Sequence, residues 1–166
     1  RLAHLGSYET LDELPQSDGA LAEPDVTRTA YLQYTSGSTQ FPRGVVITQA
    51  QVMQNLSSIL ELGVQMKADD RLVSWLPLYH DMGLVGFMLA ALTSQRSVDY
   101  LATRDFAMRP RQWLSLISRN RGTISFSPSF GYELCARRIR HNADDFDLSS
   151  WRIAGAGAET IRPDSL

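Results

Sequence analysis

Tyr34-Thr35-Ser36-Gly37-Ser38-Thr39-Gln40-Phe41-Pro42-Arg43-Gly44 sets four aliphatic hydroxyls, two glycines and one cation between two apolar runs. Those runs, Ala30 to Tyr34 and Val45-Val46-Ile47, read as strands, so the segment is the connection of a hairpin. Such a connection suits polyphosphate. Hydroxyls donate to phosphate oxygens, glycines let the backbone approach where a Cβ would clash, and a basic residue neutralises charge. On composition alone such a cluster is more often just a solvated turn.

The two common nucleotide signatures fail when checked residue by residue. A Walker A loop needs a second glycine followed by Lys and Ser or Thr, whereas the fifth residue after Gly37 is Pro42, followed by Arg43. The only Gly-x-Gly, Gly155-Ala156-Gly157, carries Thr160 where a dinucleotide fold places its third small residue.

The order of residues from Tyr34 to Gly44 resembles the phosphate-loop signature of the adenylate-forming superfamily, Tyr-Thr-Ser-Gly-Ser-Thr-Gly-x-Pro-Lys-Gly. Gln40 and Arg43 depart from it in the manner of fatty acyl-AMP ligases, and Arg43 keeps the charge while presenting a planar fork. Trp75-Leu76-Pro77-Leu78-Tyr79-His80-Asp81-Met82-Gly83-Leu84-Val85-Gly86 resembles the next motif in its fatty acyl-AMP ligase form. Ser127-Pro128-Ser129-Phe130-Gly131-Tyr132-Glu133-Leu134 is similar to that subfamily's Pro-Asn-Phe-Ala-Tyr-x-Leu run, with Ser129 and Gly131 replacing Asn and Ala. Trp151 to Pro163 resembles the strand and turn that meet adenine and substrate. The four motifs stand in the family's order.

The resemblance implies an ATP-dependent ligase that joins a fatty acid to AMP, releases pyrophosphate, and passes the acyl group to an acyl carrier protein or a polyketide synthase carrier domain. It implies that Thr35, Ser36, Gly37, Ser38, Thr39 and Arg43 hold the β- and γ-phosphates. Gly157, Ala158 and Glu159 would pass the adenine and the acyl group, and His80 would stand beside the substrate carboxylate. Met82, Gly83, Phe130 and Tyr132, with Leu84, Phe87 and Met88, would suit an alkyl tunnel, although a helical apolar stripe is equally ordinary core. Mg2+ is expected as a cofactor, its glutamate ligand lying beyond this sequence. A long-chain acyl-CoA synthetase making the same adenylate is the runner-up, and a nucleotide-binding module without chemistry is the alternative of another class.

His80 beside Asp81 also invites a dyad or metal reading, but sequence neighbours need not face one another and no other histidine supplies a ligand spacing, so no metal site is expected among these residues. Asp81 could simply cap a helix. No Gly-x-Ser-x-Gly elbow marks a serine hydrolase.

The sequence of 166 residues, 43% hydrophobic with net charge -2, is long enough for one substantial core and offers no basic field for nucleic acid. The apolar run Met82 to Leu92 is too short to span a bilayer and no signal segment opens the chain, so a cytoplasmic location is expected. The single Cys135 permits no internal disulfide and reads as a small buried hydrophobe. Residues 1–25 read as a peripheral segment and 26–166 as an α/β core with the phosphate loop at 34–44, together one partial domain. The family's later motifs are absent, so this reads as a fragment whose parent catalyses adenylation and which alone does not.

Strands are expected at 71–76, 97–101, 123–126 and 151–154, and helices at 48–62, 82–92, 110–118 and 130–140. Thr48 and Gln51 fit a capping box, and Val52, Leu56, Ile59 and Leu60 form the apolar stripe of the first helix. Alternating strands and helices predict a layered α/β fold with a largely parallel sheet, whose ligands collect at the carboxyl ends of its strands.

Overall fold

The computed structural model describes residue 23 and residues 25–35, 43–139 and 145–160. The expected hairpin forms: β1 (Thr29–Thr35) pairs antiparallel with β2 (Arg43–Thr48), in register Tyr31↔Ile47, Gln33↔Val45 and Thr35↔Arg43. Alternation along β1 turns Tyr31 and Gln33 inward while Leu32 and Tyr34 stay exposed. Tyr34 lies across from Gly44, where an added Cβ would come within 3.3 Å of its ring.

β2 runs directly into α1 (Gln49–Ser57) through the expected capping box. The Thr48 hydroxyl accepts from the Gln51 amide at 3.3 Å, and the Gln51 side-chain oxygen accepts from the Thr48 amide at 2.8 Å. The helix continues as a π-helical stretch, Ser58–Gly63.

Four parallel strands make the main sheet: β3 (Arg71–Ser74), β4 (Ser97–Tyr100), β5 (Ile124–Ser127) and β6 (Ile153–Ala156), in the order β4-β3-β5-β6. β3 is shorter than its apolar run, because the Leu76 amide donates to the Ser74 hydroxyl at 3.1 Å and turns out of the ladder. Trp151 likewise closes a turn onto the Leu148 carbonyl, so β6 starts two residues later than the expected strand.

The crossover from β3 to β4 comprises α2 (Asp81–Gly83), a π-helical stretch (Leu84–Leu89) and α3 (Ala90–Ser94). A short helix, α4 (Thr103–Met108), was not expected, and α5 (Arg111–Asn120) follows with Pro110 at its N-cap. α6 (Ser129–Ile139) leads away from β5.

The sheet is covered on both faces, which is why its central strands are almost wholly buried, their serines included. Ile124 and Phe126 point to the α2–α3 side, where Phe126 meets Phe87 edge-on at 6.0 Å. Ser125, between them, points to α5, accepts from the Trp113 indole at 2.9 Å and donates to the Val73 carbonyl at 2.5 Å. Trp113 is fully buried among Trp75, Phe106, Tyr132 and Trp151. A second cluster, Leu56, Val85 and Ala90, fastens α1 and the hairpin to the crossover helix.

At the amino edge of the sheet Asp70, Thr123 and Arg152 each immediately precede a strand. Arg152 Nε donates to Asp70 Oδ1 at 2.8 Å, its Nη2 donates to Asp70 Oδ2, and the Thr123 hydroxyl donates to Asp70 Oδ1 at 2.7 Å. The Lys67 amide adds a bond of 2.7 Å. Burial alone would raise the Asp70 pKa, but the bonds from Arg152, Lys67 and Thr123 outweigh it and hold the carboxyl at about 2.

Candidate active site

Because β3, β5 and β6 are parallel, the turns that follow them emerge at one edge, as the positions of three motifs require. The turns after β5 and β6 are joined. The Gly157 amide donates to the Ser127 carbonyl at 3.4 Å, and Glu159 Oε1 accepts from the Phe130 amide at 3.2 Å in the first turn of α6. Met82 reaches them from α2, its Cε 3.9 Å from where a Gly157 Cβ would stand. Ala158 sits between in a left-handed conformation, φ 67°, which costs an alanine about 1 kcal/mol and marks a backbone shaped by its surroundings.

His80 caps the crossover helix in extended conformation and is exposed. Its Nδ1 lies 2.7 Å from Asp81 Oδ1 and 3.2 Å from the Met82 amide nitrogen, which also donates to that Asp81 oxygen at 2.7 Å. A bare Nδ1 lone pair would be repelled by the carboxylate at that distance. We therefore assign the proton to Nδ1, donated to Asp81, with the Met82 amide satisfied by Asp81.

Under the hairpin lies a cavity of about 500 Å³. At the carboxyl edge its walls are Asp81, Met82, Ala158 and Phe126, with Tyr31 and Gln33 from β1. Burial and the Asp81 carboxylate raise the Tyr31 pKa, so a negative charge faces the phenol there. Along the crossover helix the lining passes through Val85, Gly86, Phe87 and Ala90, opposed by Asn55 and Ile59 from α1 and its continuation. At the amino-edge end stand Leu72, Ile124, Val64 and Met66. A Cβ added at Gly86 would meet nothing within 4 Å, so the glycine opens the wall.

Of the residues anticipated for an alkyl tunnel, Met82 and Phe87 line this cavity. Gly83 is buried, and a Cβ there would stand 2.2 Å from the Pro77 carbonyl oxygen, so its smallness serves close packing of the His80 turn on backbone. Tyr132 belongs to the aromatic core: it stacks on Trp151 at 6.1 Å, donates to the Gly155 carbonyl at 2.8 Å, and has its pKa pushed up to about 12 by burial. Phe130 is half-exposed, edge-on to Trp75 at 5.8 Å. Tyr31, Gln33, Asn55, Val64 and Met66 are lining residues that the motifs did not flag. Inward alternation on β1 was the only signal for the first two.

The hairpin ladder closes with Thr35 opposite Arg43, which brings the cation to the base of the connection. Ser36, Gly37, Ser38 and Thr39 lie outside the described residues. Among the described residues no three His, Cys, Asp or Glu side chains are grouped to hold a metal, and Asp81 and Glu159 are engaged by backbone amides. The donor set therefore does not by itself fit Mg2+. No helix among the described residues is long and apolar enough to cross a membrane.

The parallel four-stranded sheet flanked by helices matches the N-terminal domain of adenylate-forming enzymes. A solved chain from work on fatty acyl-adenylate ligases of E. coli and L. pneumophila superposes with TM-score 0.83 at 58% identity, covering 93% of this chain and 28% of that one. The chain belongs to the AMP-binding enzyme family, whose model matches residues 3–166. A provisionally named acyl-CoA synthetase of Caulobacter vibrioides is 49% identical over 163 residues, 96% of this chain and 28% of its own. A medium-chain fatty acid–acyl carrier protein ligase of Teredinibacter turnerae is 42% identical over 144 residues, 85% of this chain and 22% of its own. The chain thus spans about a quarter of the length of the relatives it matches.

Proposed function

We propose that this chain is part of an ATP-dependent fatty acyl-AMP ligase and supplies its phosphate loop, its carboxylate-positioning turn and the wall of its acyl site. The observation that carries this reading is the meeting of the turns after β5 and β6 with Met82 at one sheet edge, where Asp81, Met82 and Ala158 line a largely apolar cavity roofed by Tyr31, Gln33 and Ile47 of the hairpin strands. In the reaction a fatty acid carboxylate oxygen attacks the α-phosphorus of ATP. The bond from that phosphorus to the bridging oxygen breaks, and pyrophosphate leaves with the electron pair. No protein nucleophile is needed, so catalysis is alignment and charge neutralisation.

In this reading Arg43 and the hydroxyls of Thr35, Ser36, Ser38 and Thr39, with Gly37, receive the departing β- and γ-phosphates. His80 donates a hydrogen bond to the substrate carboxylate, and Asp81 orients the ring. Gly157, Ala158 and Glu159 border the adenine, Glu159 also pinning α6. Mg2+, whose protein ligand would come from the rest of the parent, would neutralise phosphate charge. The acyl group then moves to the thiol of a carrier protein and AMP is released. A CoA acceptor is the second reading, favoured by the acyl-CoA synthetase name of the 49% identical relative.

Fatty-acid-driven exchange of labelled pyrophosphate into ATP tests the proposal. The full-length protein should exchange and this chain alone should not. No exchange by the full-length protein with any fatty acid would leave a nucleotide-binding module without chemistry, and exchange by the chain alone would refute its inactivity. Thioester formation on carrier protein against CoA separates the acceptors.

A further inference from the structure

The crossover helix runs from the carboxyl edge back to the amino edge, so Met82, Gly86 and Ala90 mark successive depths of the cavity. Its polar lining lies toward the mouth and along α1, and its far end is wholly apolar. We propose that Met66, with Val64, is the end wall that limits the acyl chain this protein accepts to about ten carbons, and that Arg152 is the positioning residue for that wall. This rests on the adenylation reading above.

The length follows from geometry. Met82 to Ala90 is eight residues, most of them π-helical and rising less than the ~1.5 Å of an α-helix, so the depth is about 10 Å. A fully extended chain advances about 3.5 Å per three bonds, or ~1.2 Å per bond, so the depth takes about eight bonds, which with the carboxyl carbon at the mouth is a chain of about nine or ten carbons. A cavity of about 500 Å³ falls at the small end of the range for ligand sites.

The wall is a built feature. The Val64 amide closes the π-helical stretch onto the Ile59 carbonyl at 2.8 Å, Gln65 turns the chain with φ 46°, and the Met66 amide returns to the Leu60 carbonyl at 2.8 Å. Arg152 Nη2 donates to the Val64 carbonyl at 3.0 Å and to the Gln65 carbonyl at 3.1 Å, while Asp70 holds the same guanidinium. A turn tied to the amino edge of the sheet cannot retreat before an advancing alkyl chain without breaking those bonds. The Met66 thioether, unbranched and adaptable, makes the stop side chain-deep, so substitution there resets it.

The test is a chain-length profile of exchange by the full-length protein, from hexanoate to palmitate. Wild type should gain about fourfold in kcat/KM per added methylene up to roughly decanoate and then fall. Met66→Ala should move the optimum about two or three carbons longer, the reach of the side chain removed at ~1.2 Å per bond. Gly86→Leu, whose Cβ would meet nothing within 4 Å and whose side chain would take up cavity space, should move it shorter. Arg152→Met should raise the ratio of dodecanoate to decanoate turnover. Exchange that persists with an optimum unmoved by both Met66→Ala and Gly86→Leu overturns the inference. If no acid supports exchange, the adenylation reading itself has failed. The wall is then read from the longest acid that raises the Tm of the full-length protein, and an identical limit in wild type and Met66→Ala overturns it.

Discussion

Acid should unfold this chain through Asp70. Asp70 is 5% exposed, and its carboxyl sits at about 2 against an ordinary 3.8, held down by Arg152, Lys67 and Thr123 against the opposing effect of burial. At about 1.4 kcal/mol per pKa unit, that difference is about 2 kcal/mol of folding stability. The sign follows from the folded value being the lower one. The contribution is complete above the unfolded pKa of 3.8, declines as pH falls below it, and is gone once the pH has passed through about 2. Asp70→Asn keeps the shape and removes the charge, so urea unfolding at neutral pH should show a loss of about 2 kcal/mol, and the acid-dependent part should flatten between pH 4 and pH 2. Asp70→Ala also strands the Arg152 guanidinium, for a loss of about 3 kcal/mol. A double-mutant cycle with Arg152→Met isolates the pair and should return a coupling of at least about 1 kcal/mol. A neutral-pH loss within about 0.5 kcal/mol, the scale of ordinary surface changes, with an unaltered acid limb, would refute the assignment of Asp70 as the amino-edge clamp.

Other substitutions probe the turns at the opposite edge. Gly131→Ala would put a Cβ 2.1 Å from Ser127 Oγ and 3.0 Å from Trp75, and should cost about 1–3 kcal/mol in urea unfolding. Adding Ser127→Ala removes the clashing oxygen and should recover part of that loss. Gly83→Ala would meet the Pro77 backbone, which no side-chain change relieves, so it should both destabilise the chain and depress exchange by the full-length protein through displacement of the His80 turn. Arg43→Ala should lower kcat/KM for ATP about ten- to a hundredfold, the worth of a hydrogen bond to a charged group, with Arg43→Lys closer to wild type; equal values for all three would remove Arg43 from the phosphate site.

What the sequence disclosed depended on whether the signal was local. The strands of the sheet were legible because a sheet covered on both faces demands runs such as Leu72-Val73 and Ile124, and the first helix because Thr48 and Gln51 satisfy each other within one turn. The carboxyl-edge rule then placed three motifs together without any knowledge of their contacts. α4 escaped because its N-cap, Ala102, makes no side-chain bond and its order comes from Phe106 stacking on Trp75 at 3.8 Å, a partner remote in sequence. The π-helical stretches escaped because a periodicity of 3.6 cannot register an inserted residue. Tyr132 suits an alkyl tunnel or an ordinary core by sequence and lies in the core, since aromatic residues on a helix serve either purpose and only packing separates them.

The cavity was the least legible feature, and its construction explains why. Its lining comes from the hairpin, α1 and the turn after it, the crossover helix, the sheet and the Ala158 turn. No single element shows an anomalous pattern, because each presents the cavity with residues that would pass as ordinary core. Gly86 is the exception, an interior helical glycine that costs about 1 kcal/mol and whose added Cβ would meet nothing within 4 Å. The same layout divides labour between the two edges of one sheet. The carboxyl edge holds the groups that would meet the reacting atoms. The amino edge holds the Asp70–Arg152 clamp that fixes the far end of the cavity. Stability and substrate length are therefore coupled through one guanidinium. A variant of Arg152 that loosens the wall must also lose part of the acid-sensitive clamp, and a shift in chain-length profile without a shift in urea stability would separate the two roles.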